Sequence, residues 1–235
     1  MTTQATTALI VGAGHGLSAA LARRLAARGH RVVLAARDAA KLSDLANEID
    51  AVPVACDARD SASVAALFER IDALDGPLEI AVYNAAHRIQ GSITDLDAEG
   101  VEAALMVTAY GAFLMAQQAG RRMLPAGQGT MLFTGASAGV KGFPGSAPFA
   151  MGKFALRGLC QSLARELHPQ GVHIGHVVID GGIAGTPQSG RFNAQDGADA
   201  MLDPDEVARS CMALIDQHRS AWSWEVELRP WVETF

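Results

Sequence analysis

The chain has 235 residues, 49% of them apolar and 19% charged, with a formal net charge of −6 and a mean hydropathy of +0.15. This length suits one domain spanning residues 1–235, and an apolar content of this size excludes intrinsic disorder. The 19 Lys and Arg are dispersed and outnumbered by 25 Asp and Glu, which argues against nucleic acids and acidic membranes as partners.

In chain order, short apolar runs alternate with longer amphipathic stretches. Strands are predicted at residues 8–12, 31–36, 51–56, 78–83, 130–135 and 172–179, and helices at 16–28, 39–49, 61–74, 98–122, 148–167 and 204–217. This alternation implies βαβ crossovers and an α/β domain built on a doubly wound parallel sheet, covered by helices on both faces. The stretch 223–229 differs, because Trp224, Val226 and Leu228 alternate with Glu225, Glu227 and Arg229. That is the pattern of a strand with one dry and one wet face, at a sheet edge or an interface. Trp222, Trp224, Trp231 and Phe235 all fall in the last fourteen residues, packed on one another or against a second subunit.

Cys56, Cys160 and Cys211 are far apart and lack Cys-x-x-Cys or Cys/His spacing. They are expected to be reduced core thiols, with neither a disulfide framework nor a metal site. Residues 1–7 contain no basic residue and no long apolar run, and no later stretch reaches about 18 uninterrupted apolar residues, so a cytoplasmic location is expected.

The chemistry concentrates at the first strand-to-helix junction, Gly12-Ala13-Gly14-His15-Gly16-Leu17-Ser18. Glycines there let the backbone turn tightly and let a pyrophosphate reach the N–H groups and positive dipole end of the following helix. The spacing GxGxxG from Gly12 fails at Leu17, GxGxxA from Gly14 matches through Ala19, and GxxxGxG from Gly12 meets Ser18 in its last place. The second predicted strand ends in Ala36, followed by Arg37 and Asp38. At this distance from the loop an acid would take the ribose hydroxyls of NAD, and an arginine the 2′-phosphate of NADP. Arg37 favours NADP, and Asp38 keeps NAD open as the alternative.

Further along stand Asp57 after the third strand, Asn84-Ala85-Ala86 after the fourth, and Lys153 early in the helix after the fifth, followed by the run 155–167. Together with Gly12-x-x-x-Gly16, these residues make the chain similar to the short-chain dehydrogenase/reductase family over its whole length. The resemblance implies a seven-stranded Rossmann-type sheet, NAD(P)-dependent oxidoreduction of a small-molecule substrate, and a homodimer or homotetramer. It assigns Gly12, Gly14, His15, Gly16 and Leu17 to the pyrophosphate and adjacent ribose, and Asp57 with Ala58 to the adenine. Asn84, Ala85 and Ala86 would line the cofactor, and Ile183 would meet the nicotinamide amide in a loop that reads Asp180-Gly181-Gly182 instead of the family's Pro-Gly start. Residues 186–201 stand at the family's substrate loop.

The family's chemistry uses Tyr-x-x-x-Lys, a serine thirteen residues before the tyrosine, and an asparagine in the preceding long helix. Here Phe149 stands for the tyrosine, Ala136 for the serine and Thr108 for the asparagine, and Lys153 alone remains. Neither Phe149 nor Ala136 has a titratable proton or a donor, whereas reduction of a carbonyl needs an acid and donors aimed at the developing charge. Ser137, one residue from the expected place, is a substitute if its loop is shifted, since neighbours on a strand face opposite ways. His87 is a second substitute, able to act as an acid near neutral pH. Tyr110 and Asp180 are weaker candidates, read first as helix packing and as a turn former. Gly152 and Gly158 in the helix at 148–167 suit the approach of another backbone. The resulting reading is an NADP(H)-dependent oxidoreductase with Lys153 and Ser137 as catalytic residues. The rival is a cofactor-binding module without turnover.

Overall fold

The computed structural model describes residues 5–185, 197 and 199–233. Seven strands, β1 (Thr7–Val11), β2 (Arg31–Ala36), β3 (Val52–Ala55), β4 (Leu78–Tyr83), β5 (Gly129–Thr134), β6 (Val172–Ile179) and β7 (Glu225–Leu228), form one sheet in the order β3-β2-β1-β4-β5-β6-β7. Every pairing is parallel. The order reverses direction at β1, which lies between β2 and β4, and ligands of such sheets bind at this switch point beyond the carboxyl ends of the strands.

Helices α1 (Leu17–Ala27), α2 (Ser43–Ile49) and α7 (Pro204–Ile215) bury residues such as Leu21, Ala46 and Cys211 on one face of the sheet. On the other face, α3 (Ser61–Asp72), α5 (Gly111–Met123) and α6 (Ala147–Leu167) bury Phe68, Met115 and Leu156. β1 and β6 are buried along their whole length, which explains their unbroken apolar runs. The exposed edge falls on β3, where Pro53 sits without a ladder donor to lose.

The predicted strand bounds hold to within two residues, and three of the strands coincide with them. The long helix predicted at 98–122 is interrupted. α4 (Ala98–Leu105) runs into a π-helical turn over Met106–Tyr110 before α5 begins, because the buried Tyr83 hydroxyl donates to the Val107 carbonyl from beneath. From Ala98 to Ala126 this stretch is long and apolar enough to cross a membrane by length and composition, but here Ala112, Met115, Ala119 and Met123 pack into the core.

β7 is an edge strand as expected, and Val226 and Leu228 pack on the α1/α7 face. Trp224 departs from the predicted alternation: it precedes the strand and packs on the opposite, α6 face. Glu225 is paired rather than solvated, accepting from Arg157 at 2.7 Å on each carboxylate oxygen and from His176 Nδ1 at 2.9 Å. Trp222 stacks on His173 with centroids 4.7 Å apart, whereas Trp231 is exposed. Phe235 and most of the predicted substrate loop lie outside the described residues. All three thiols are buried and unbridged.

Candidate active site

The turn after β1 decides which glycine spacing the backbone needs. Gly12 has φ +82°, and a Cβ there would lie 2.4 Å from the Ala85 nitrogen, so only glycine closes this turn against the end of β4. Gly16 precedes α1 with φ +73°. Gly14 has open space around it and no positive φ. The required pair is therefore Gly12 and Gly16, and Ser18 fills the third place. Its buried hydroxyl donates to the Gly12 carbonyl at 3.0 Å and accepts from Asn84 Nδ2 at 2.7 Å. Asn84 Oδ1 in turn accepts from the Thr134 hydroxyl at 2.9 Å. One hydrogen-bonded chain thus ties together the ends of β1, β4 and β5.

α1 starts with no side-chain cap and no acid in its first turn, whereas Asp60, Asp97 and Asp203 cap α3, α4 and α7. Free N–H groups at a glycine-lined helix start form an anion site. Beside it lies a cleft of about 270 Å³ lined by Gly12, Arg37, Asp57, Ala58, Asn84, Ala85 and Ala86, all predicted, and by Val11, Ala13, Ala36, Cys56, His87 and Val107. Gly14, His15 and Gly16 lie on the adjoining loop, and Leu17 opens α1. The Leu17 side chain is in the core, so only its backbone is available to a ligand. Ile183 does not line this cleft; it pairs with Leu202 in an isolated parallel bridge.

At the end of β2, Asp38 is spent as a cap, its carboxylate accepting from Ala40 N at 3.2 Å with Lys41 Nζ at 3.5 Å. Arg37 is exposed on the cleft wall and makes no hydrogen bond or ion pair among the described residues. The Asp57 carboxylate is gripped by Arg59, with Nη2 to Oδ2 at 2.7 Å. This hydrogen bond is the main reason its pKa lies below the usual range, with the nearby Arg37 charge adding to it.

Lys153, on the second turn of α6, is buried. Its Nζ donates to the Thr134 carbonyl at 2.7 Å, and burial pulls its pKa down to about 8. Phe149, one turn earlier, presents its ring to this ammonium with Nζ 5.7 Å from the centroid. The Arg88 guanidinium lies 5.1 Å from the same centroid. Ala136 is extended and leads into a short 3₁₀ turn at Ser137–Gly139. The half-buried Ser137 hydroxyl makes no hydrogen bond among the described residues. Thr108, buried in the π-helical turn, accepts from the His87 N–H at 3.2 Å. Among the predicted residues, Lys153 and Phe149 meet through this contact, and Thr108 meets His87.

One weaker candidate is corrected. Tyr110 is exposed and stacks on Phe113 rather than packing inside. Asp180, read as a turn former, stands just after β6 and is a buried carboxylate with Lys141 Nζ at 3.7 Å and Arg229 at 3.8 Å. Gly152 serves packing within the chain, since a Cβ there would lie 3.0 Å from Thr108 Cβ, while Gly158 faces open space. Sequence reasoning missed Arg88 and the Thr134 carbonyl. Nothing in the local pattern marks either, because their partners come from α6.

The fold has counterparts among known proteins. A crystal structure of a short-chain dehydrogenase from Rhodopseudomonas palustris superimposes with a TM-score of 0.83 at 32% identity, over 96% of this chain and 99% of the other. A metagenomic short-chain oxidoreductase solved in complex with NADP gives 0.82 at 28% identity, over 96% and 97%. By sequence, the chain is 33% identical to the 3-oxoacyl-(acyl-carrier-protein) reductase MabA of Mycobacterium tuberculosis over 159 residues, 68% of this chain and 62% of that protein. It is 34% identical to human 17-beta-hydroxysteroid dehydrogenase type 1 over 180 residues, 72% of this chain and 54% of that one. These matches thus span less than two thirds of either relative. A family profile described as short chain dehydrogenase matches residues 6–197. With the parallel seven-stranded sheet and the Gly12–Gly16 turn at its switch point, the chain belongs to the short-chain dehydrogenase family of oxidoreductases.

Proposed function

We propose that the protein is an NADP(H)-dependent oxidoreductase of a small-molecule substrate, in which Lys153 and Ser137 take the roles that Phe149 and Ala136 cannot fill. The observation that carries the cofactor choice is the unpaired Arg37 on the cleft wall beside an Asp38 already spent on a cap. The bound nucleotide would supply or accept a hydride at the substrate carbon. The free amides from Gly14 to Leu17 receive the pyrophosphate and Arg37 the 2′-phosphate, while Asp57 and Ala58 hold the adenine. Asn84, Ala85 and Ala86 would line the cofactor, and Ile183 would meet the nicotinamide carboxamide. The proton that balances the hydride passes from Lys153 Nζ to the substrate oxygen or nitrogen and is replaced from solvent. The Ser137 hydroxyl donates to that same atom as charge develops on it.

A second reading, nucleotide binding without turnover, is favoured by Phe149, whose ring lies beside the Lys153 ammonium and offers no titratable proton. The two readings separate in one pair of measurements. Fluorescence titration should give tighter binding of NADPH than of NADH, with Arg37→Ala weakening NADPH by about tenfold or more and leaving NADH unchanged. Equal affinities in the native protein refute the NADP assignment. Consumption of NADPH over a panel of ketones, aldehydes and imines then supports the enzyme, and tight binding without consumption supports the module.

The exposed Tyr110 and Phe113, with Met151 and Phe154 on the neighbouring α6, make a homodimer or homotetramer the proposed assembly. The three unbridged thiols fit a reducing cytoplasm.

A further inference from the structure

Among the described residues, several arginines are paired with a carboxylate: Arg23 with Glu48, Arg28 with Asp216, Arg122 with Asp72 and Arg157 with Glu225. Arg88 is not. It follows His87, which lines the nucleotide cleft, and makes no hydrogen bond or ion pair among the described residues. What holds it is the Phe149 ring, 5.1 Å from Cζ to centroid. The segment carrying it is fastened to the loop entering α6 by Gly91 N–H donating to the Gly145 carbonyl at 3.0 Å, so Arg88 is held beside the first turn of α6, which carries Phe149.

A ring face attracts a guanidinium but offers it no carboxylate lone pairs, and the planar N–H fork stays available for an anion. The same ring has the Lys153 ammonium 5.7 Å from its centroid, and Lys153 also lacks a carboxylate, its hydrogen bond going to Thr134 O. Two like charges share one aromatic ring with no anion between them. Arg88 is exposed, so its N–H fork is open to a ligand arriving from solvent. An anion within reach of the fork offsets the repulsion between these two cations.

We propose that Arg88 sets substrate specificity by binding a carboxylate on the substrate in a bidentate pair, which makes the substrate a carbonyl or imine compound that carries a carboxylate. This rests on the oxidoreductase reading above. The Phe149 ring, in losing the hydroxyl, becomes the platform that aims Arg88, and the carboxylate then holds the reducible group beside Lys153.

The test is calorimetric titration of the NADP⁺-saturated protein with pyruvate, acetoacetate and levulinate, each against its methyl ester. NADPH affinity is measured separately in every variant, so a failure of the nucleotide reading shows there and not in the acid-to-ester ratio. The native protein should bind at least one keto acid about tenfold or more tightly than its ester. Arg88→Ala should bring that ratio to within about twofold, with NADPH affinity unchanged, and Arg88→Lys, which keeps the charge without the fork, should fall between. Equal binding of acid and ester by the native protein overturns the proposal. So does a preference that survives Arg88→Ala, or failure of all three acids to bind.

Discussion

Replacing Phe149 by Tyr and Ala136 by Ser tests whether the missing proton donor is what limits this site. The Phe149 ring is partly exposed, so the added hydroxyl carries no full burial penalty. Lys153 Nζ lies 5.7 Å from the ring centroid, and at an effective dielectric of about 20 a unit charge at that distance favours the phenolate by roughly 3 kcal/mol. That is about two pKa units, which would bring the introduced phenol from about 10 to about 8, with Arg88 acting in the same direction. A positioned acid adds about 10²–10⁴-fold and a donor at the developing charge about 10²–10³-fold. The double variant should therefore reduce simple ketones at least about a hundredfold faster than the native protein, with Phe149→Tyr alone supplying most of the gain. NADPH consumption over a ketone and aldehyde panel measures the rates, and ultraviolet titration of the tyrosinate measures the phenol. The reasoning fails if the native protein already turns over ordinary ketones as fast as the double variant does. It also fails if the introduced phenol titrates at its unperturbed value.

Lys153 should leave a signature in stability. Burial lowers it to about 8 against about 10.4 in the unfolded chain. Between these values the unfolded chain holds more protons, so the native protein gains up to roughly 3 kcal/mol relative to Lys153→Met as pH rises. Urea midpoints of both proteins at pH 7 and pH 10 read this, and a difference that stays flat or falls refutes it. Gly12→Ala places a methyl group 2.4 Å from Ala85 N at φ +82°, so it should lower Tm, cost roughly 1–3 kcal/mol or more and abolish NADPH binding; native-like Tm and binding would contradict the close approach. Replacing Phe113 and Phe154 by Ser should shift sedimentation from oligomer to monomer without loss of fold, and a native monomer at micromolar concentration would remove the assembly proposal.

The bounds of β2, β4 and β6 and the helices on both sides of the sheet were legible in the sequence because apolar periodicity is a local property that burial on two faces enforces. So was the glycine turn. Its spacing was ambiguous in sequence, since Gly12, Gly14 and Gly16 look alike until the backbone shows which two adopt positive φ. The π-helical turn was invisible, because the Tyr83 hydroxyl that meets it comes from a strand 24 residues away. Trp224 was assigned to the wrong face, since its packing is decided by His176 and Arg157 on other elements.

Sequence alone determined the kind of domain, the place of its glycine turn and the absence of a titratable proton on Phe149 and Ala136, because each follows from residue identity and short-range order. The folded structure decided which charges are free, through local turns at Asp38 and Arg59 and through long-range contacts at Glu225 and Arg88. Asp38 is consumed by the turn beside it, Arg59 by Asp57 and Glu225 by Arg157 and His176, which leaves Arg37 exposed on the cleft wall and Arg88 on the Phe149 ring. Whether a charged group is free to meet a ligand depends on which partners folding brings within a few ångströms of it, and for Glu225 and Arg88 those partners come from elements far apart in the chain.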